Sequence, residues 1–119
     1  ALNAGVDISK ITMSSDGNAS LPVFDKQGRL TDLQLGEVKS LHQSFVDAVQ
    51  QFSVPIEDAI CAVSTSPADI LSLDKKGRIE VGNDADLNIL APHSLEIDSV
   101  ISGGNFMLLN GTLTTNVYF

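Results

Sequence analysis

The hydrophobic periodicity changes once along this chain, and that change sets the fold class. Between residues 37 and 73 apolar side chains recur at steps of three and four, the spacing of one helix face. Val38, Leu41, Phe45, Val49 and Phe52 form the first stripe, and Lys39, Gln43, Asp47, Gln50 and Gln51 fall largely off it. The spacing predicts a helix over residues 37–52, ended by residues 53–55. A second helix starts near Pro55, with Glu57 and Asp58 in its first turn, where negative charge meets the positive end of the helix dipole. Its buried stripe is expected to be Ile56, Ala59, Ile60 and Val63. Ser66-Pro67 then reads as an N-cap followed by Pro at the first helical position, opening a third helix to about Leu73 that buries Ile70 and Leu71. At Asp74-Lys75-Lys76-Gly77 the helical spacing stops. Beyond it, residues 87–90, 97–102, 106–109 and 113–118 are short apolar runs that read as strands. Asn110-Gly111 between two of them is a hairpin signal, because a type I′ turn needs positive φ at both central residues. The fold class is therefore α/β, with residues 1–73 mainly helical around one short buried strand and residues 77–119 mainly β.

That strand is expected at Ile11, Thr12 and Met13. Small polar residues follow it, and Gly17 lets the backbone turn sharply or approach another group closely. Asp16 thus falls where a strand ends and a loop begins, the place where parallel α/β barrels carry catalytic side chains. The same residues also fit a plain Asp-Gly turn in which Asp16 bonds its own backbone. Before the strand, residues 1–4 read as a last helical turn capped by Gly5. After it, residues 21–36 read as a long loop pinned by Phe24 and Leu30, with Asp25-Lys26-Gln27-Gly28 as a turn at the tip of a small hairpin.

Ser14-Ser15-Asp16-Gly17-Asn18-Ala19-Ser20 resembles the last barrel-strand motif of the isoaspartyl dipeptidases (β-aspartyl peptidases), a branch of the metal-dependent amidohydrolase superfamily. The likeness runs in register over almost the whole chain. Ala1 to Val6 is similar to the end of the family's preceding helix, and Pro22-Val23-Phe24 and Gly28 match its following loop. Gly77-Arg78-Ile79 and Gly82-Asn83-Asp84-Ala85-Asp86-Leu87 resemble the superfamily's passage back into a small β domain. The first string is characteristic of the branch, the last only of the superfamily. Two places depart from the pattern: the family usually has Gly where this chain has Ala19, and a Gly-Thr-Phe-Glu tail where this chain has Val117-Tyr118-Phe119. Ala at position 19 is tolerable if its φ is negative.

The resemblance implies a C-terminal piece of a (β/α)8 TIM-like barrel protein, with residues 1–75 holding the last barrel strand and following helices. Residues 76–119 would be closing strands of a small β-sandwich domain. A complete barrel takes about 250 residues, against 119 here, and Ala1 is no recognisable start. The implied parent is a cytoplasmic, homo-oligomeric enzyme that hydrolyses β-aspartyl dipeptides with two zinc ions. In that family the aspartate closing the last strand touches one metal and the bridging hydroxide. Asp16 would accordingly be metal ligand and general base and acid, and Ser20 would bind substrate. Rival readings are another amidohydrolase acting on cyclic amides or N-acyl amino acids, and a scaffold that kept the fold but lost the metals. A small binding module is the weakest rival, given the acidic surface and the lack of an aromatic patch.

Composition and residue count narrow these readings. Apolar residues make up 43% of the chain, a globular composition. Fifteen acidic residues against seven basic ones give a net charge of −8, which opposes a nucleic-acid surface. No apolar run approaches the ~20 residues of a membrane span. Cys61, the single cysteine, has no partner for an internal disulfide and reads as a small core residue. A zinc site needs three or four ligands, and this segment has only His42 on a helix and His93 in a turn, with nothing to pair them. The segment alone is therefore expected to be inactive. The resemblance makes Asp84 and Asp86 turn residues that bond the backbone. Ser20 has no nearby His to act as its base, so a serine-nucleophile reading is weak.

Overall fold

The structure is a computed structural model that describes residues 2–114. It divides into two compact units, residues 1–67 and 68–119. Helix α3 (Thr65–Ile70) runs across their junction.

In the first unit, two short 3-10 turns, Leu2–Ala4 and Ile8–Lys10, precede an extended stretch over residues 11–13. The expected buried strand at Ile11, Thr12 and Met13 is not formed. A parallel strand exists only where neighbours complete its ladder, and here the backbone bonds go to a preceding turn and a helix, Ile11 N to Ile8 O and Met13 N to Ala62 O, both 3.0 Å. Residues 21–36 are not a loop pinned by two apolar side chains. Strands β1 (Ser20–Phe24) and β2 (Leu30–Leu35) pair antiparallel, and Phe24 and Leu30 face each other across the ladder while both remain exposed. The tip is the turn expected at residues 25–28, with Gly28 at φ 77°. The Asp25 carboxylate closes it by accepting from the Gln27 and Arg29 amides at 2.8 and 2.9 Å.

Helix α1 (Ser40–Gln50) starts later than the apolar stripe, because residues 37–41 make tighter three-residue turns first. Ser53, at φ 53°, turns the chain out of it. Helix α2 (Ile56–Val63) starts after Pro55, with Glu57 and Asp58 in its first turn as expected. α2 packs against α1 and against the 3-10 turn at Ile8–Lys10. The buried faces meet the sequence expectation only in part, at Phe45 and Ala59. Phe45, Ala59 and Ala62 are buried, whereas Val38, Phe52, Ile56 and Ile60 are exposed, and Cys61 is only half-buried. Small alanines let the elements approach closely, and the larger stripe residues lack cover in this segment. Ser66 does not cap α3, which already begins at Thr65; its hydroxyl is buried and donates to Ile8 O at 3.0 Å. Met13 and Ser66 thus tie the stretch before Asp16 to the helices.

The second unit is an antiparallel meander, β3 (Leu87–Leu90), β4 (Ile97–Ser102), β5 (Asn105–Leu109) and β6 (Thr112–Leu113), in that spatial order. Its buried side chains are Ala68, Leu95 and Ser99; Ile70 and Leu71, expected in the core, are exposed. The Asn110-Gly111 turn has positive φ at both residues, 49° and 74°, as its sequence requires. It is tied back to β4 by Gly111 N to Asp98 O, 2.8 Å, and by Asn110 N to the buried Ser99 Oγ, 3.1 Å. The expected continuation of the last strand to residue 118, and the Val117-Tyr118-Phe119 departure, lie outside the described residues.

Candidate functional site

Asp16 sits at the apex of a tight loop that its neighbours build. Met13 is anchored to α2, so the chain leaves a fixed point and must reverse within a few residues to enter β1. Asp16 and Asn18 both adopt left-handed backbone, φ 48° and 65°, a conformation that Asp and Asn visit more readily than other residues with side chains. Ala19 N donates to Asp16 O at 2.9 Å and closes the turn. Ala19 itself lies outside the left-handed region, so a methyl group costs nothing there and its departure from the family's Gly is mild.

Two serines brace the loop. Ser14 Oγ donates to Asp16 Oδ1 at 3.3 Å and accepts from Asp16 N at 3.2 Å; Ser15 Oγ accepts from Gly17 N at 3.2 Å. The Asp16 carboxylate therefore bonds a neighbouring hydroxyl rather than its own backbone, and the side chain stays exposed. Ser20, also exposed, is the first residue of β1 and pairs with Leu35. The segment thus carries both sequence-derived site residues on one loop-and-strand unit. Ser14, which orients the carboxylate, had no assigned role in the sequence reading. Its i to i+2 spacing from Asp16 is the usual geometry of a serine–backbone turn and was available as a signal.

The remaining polar candidates stay apart. His42 lies on α1 with its ring stacked on Phe45, centroids 6.1 Å apart, and its buried Nε2 has no hydrogen-bond partner. His93 lies in the turn before β4. Among the described residues no group of three or more His, Cys, Asp or Glu could hold a metal ion. Asp16 is chemically suited to be one hard-oxygen ligand, and the described residues supply no others to join it.

Of Asp84 and Asp86, expected as turn residues that bond the backbone, only the Asp86 carboxylate has such a bond; both lie just past the turn at residues 81–82, and a cation lies between them. Lys76 Nζ pairs with Asp84 at 2.9 Å and with Asp86, and Asp86 Oδ1 accepts from Gly103 N at 2.7 Å. The Lys76 ammonium, and then the Gly103 amide, hold the Asp86 carboxyl below the usual aspartate range; Asp86 and Asp84 together raise Lys76. A lowered carboxyl stabilises the fold above its unfolded pKa, about 3.9, and the contribution is lost as pH falls through the folded value. A raised lysine stabilises below its unfolded pKa, about 10.4, and loses that contribution as pH rises through the folded value. The cluster therefore acts across the range between these limits. Asp86→Asn in the full-length parent is expected to lower the melting temperature slightly near pH 7, since exposed pairs are screened. The difference should begin to shrink below about pH 4 and close as pH falls through the lowered folded value; a difference that does not shrink with falling pH would assign the effect to packing instead.

No helix among the described residues is long and apolar enough to cross a membrane. The beta-aspartyl dipeptidase of the thermophilic keratin-degrading Fervidobacterium islandicum AW-1, crystallised with a beta-Asp-Leu dipeptide, matches all of this chain at 34% identity with a TM-score of 0.85. The chain covers 31% of that protein's length. A second structure of a beta-aspartyl dipeptidase from the same organism matches all of the chain at 30% identity and TM-score 0.77, over 28% of its own length. N-acetylglucosamine-6-phosphate deacetylase from Pasteurella multocida matches 88% of the chain and 32% of its own, at 21% identity and TM-score 0.65, a likeness of fold alone. The chain thus spans less than a third of the length of the two dipeptidases, and the likeness to them is the one its Asp16 motif implied. Residues 1–107 match the model of the Amidohydrolase family, and the chain belongs to that family.

Proposed function

We propose that this chain is the C-terminal part of a metal-dependent hydrolase that cleaves β-aspartyl dipeptides, with Asp16 as the proton-transferring carboxylate and a metal ligand. The observation that carries this reading is the match over all of this chain, at 34% identity, to a dipeptidase crystallised with beta-Asp-Leu, of which the chain spans 31%. Residues 1–75 would complete a (β/α)8 barrel, and residues 76–119 would belong to a small β-sandwich domain. The apolar, β-prone residues 11–13, which belong to no strand pair among the described residues, support this, since such a stretch can take ladder partners from the rest of a barrel. The parent would be a cytoplasmic homo-oligomer, and this segment alone would be inactive.

A divalent metal such as zinc, when bound, supplies Lewis-acid activation of water near neutral pH. Asp16 takes the proton as water attacks the carbonyl carbon of the β-aspartyl bond. It then delivers that proton to the departing amine as the C–N bond breaks. The Ser14 hydroxyl holds one oxygen of this exposed carboxylate, and the other would take part in the exchange. Ser20, on the strand that follows, would hydrogen-bond the substrate.

The test is turnover by the full-length parent of β-Asp-Leu, beside a cyclic amide and an N-acetylated amino acid. Preference for the dipeptide supports the reading, and preference for either alternative, or no turnover of any by metal-replete protein, overturns it. Ser20→Ala is expected to raise KM by roughly two- to tenfold with kcat nearly unchanged, the value of one neutral hydrogen bond made equally in ground and transition states. A fall in kcat with KM unchanged would place Ser20 in the chemical step.

A further inference from the structure

The Asp16 loop rests against the far end of the β1–β2 hairpin, and the contact is too close for any side chain. Asn18 N donates to Gly36 O and Gly36 N donates to Ala19 O, both at 2.9 Å, extending the hairpin ladder into the loop. Neither Gly17 nor Gly36 has positive φ, so neither needs to be glycine for its backbone conformation. Space requires it. A Cβ on Gly36 would overlap the Asp16 carbonyl oxygen and stand 3.0 Å from its carbonyl carbon. A Cβ on Gly17 would stand 2.8 Å from Val38 Cγ2. Ser40 Oγ adds a bond to Ser15 O at 3.4 Å, from the start of α1. The backbone that carries the carboxylate is thus set by residues some twenty positions later in the chain.

We infer that Gly36, with Val38 beside it, is a positioning residue that fixes the backbone of Asp16 and so aims its carboxylate. The inference rests on the reading of Asp16 as the proton-transferring group. Side-chain direction follows backbone direction, and a displacement of about 1 Å at a reacting group costs about 10²-fold in rate. The two glycines act differently. The obstacle at Gly36 is backbone and cannot yield, whereas the main obstacle at Gly17 is a methyl of Val38, which a second substitution removes, with the Ser15 Oγ next at 3.3 Å.

The experiment uses the full-length enzyme with β-Asp-Leu as probe. Its variants are Gly36→Ala, Gly17→Ala, the double variant Gly17→Ala/Val38→Ala, and Asp16→Asn. Each is measured for kcat, KM, metal content and amide hydrogen exchange over residues 14–20. Gly36→Ala is expected to lower kcat by about 10²-fold with KM little changed, and to speed exchange at Asn18 and Ala19. Gly17→Ala should lose less, and adding Val38→Ala should restore both kcat and exchange, a coupling that independent sites would not show. A loss of turnover without faster exchange overturns the inference, as does faster exchange without loss of turnover. If Gly36→Ala fails to fold, the Gly17 and Val38 pair decides, and absence of rescue counts against it. Turnover retained by Asp16→Asn overturns the reading of Asp16 itself. An inactive Asp16→Asn beside a normal Gly36→Ala overturns only the positioning role.

Discussion

Asp16→Asn in the full-length protein is expected to lower turnover of β-Asp-Leu by about 10⁴-fold, with the fold intact. Asn keeps the shape of Asp and an oxygen that can accept the Ser14 hydroxyl, so the loop's bracing survives. The side chain is exposed, so no core packing is disturbed. What Asn cannot do is accept a proton and pass it on. General acid–base participation is worth roughly 10²- to 10⁴-fold, and one group serving as base and then acid places the loss at the upper end. On the proposed reading metal content should fall only partly, because the described residues form no group of three or more ligands and most of a metal site would lie elsewhere in the parent. Steady-state kinetics beside metal analysis checks both points. Near-normal turnover by metal-replete Asp16→Asn would remove Asp16 from the mechanism.

The 119-residue segment expressed alone is expected to aggregate, or to form a molten state that binds a hydrophobic dye, without a cooperative melt. The reason is visible in its burial. Among the described residues the buried apolar ones are Phe45, Ala59, Ala62, Ala68 and Leu95, three of them alanines. Against them, Leu35, Val38, Phe52 and Ile79 are 73%, 71%, 74% and 87% exposed. At roughly 25 cal/mol per Å² of apolar surface buried, three alanines, one phenylalanine and one leucine do little to offset chain entropy of about 1–2 kcal/mol per residue. The outer edges of the β1–β2 hairpin and of the meander are also open to pairing with other chains. Scanning calorimetry and dye binding test this. A cooperative transition from a soluble monomer of this segment would refute it.

The uncovered stripes also show how far the sequence could be read. α1 and α2 were legible because apolar spacing and the Glu57-Asp58 first turn act over a few residues, and the structure places both helices there. The buried faces were not, because burial depends on what else is present to pack. Ile56 and Ile60 have the right spacing for a core and no cover in this segment, so the smaller Ala59 and Ala62 are the residues buried. Residues 11–13 have strand composition, but a strand is a relation to neighbours and none of the described segments pairs with them.

By itself the sequence determined the change from helical to β periodicity, the Asn110-Gly111 turn, and the string around Asp16 through which the family likeness was recognised. Each depends on residues close together in the chain. Only the tertiary structure decided that the hairpin whose tip the sequence placed at residues 25–28 pairs over residues 20–35, that Ser66 ties down Ile8 instead of capping α3, and that Gly36 lies against the Asp16 backbone. The physical reason is the same in each case. Local conformation follows from short-range sterics and hydrogen bonding, which neighbouring residues encode. Close approach between positions 16 and 36, or 8 and 66, is set by how whole elements pack, and no local pattern records that distance.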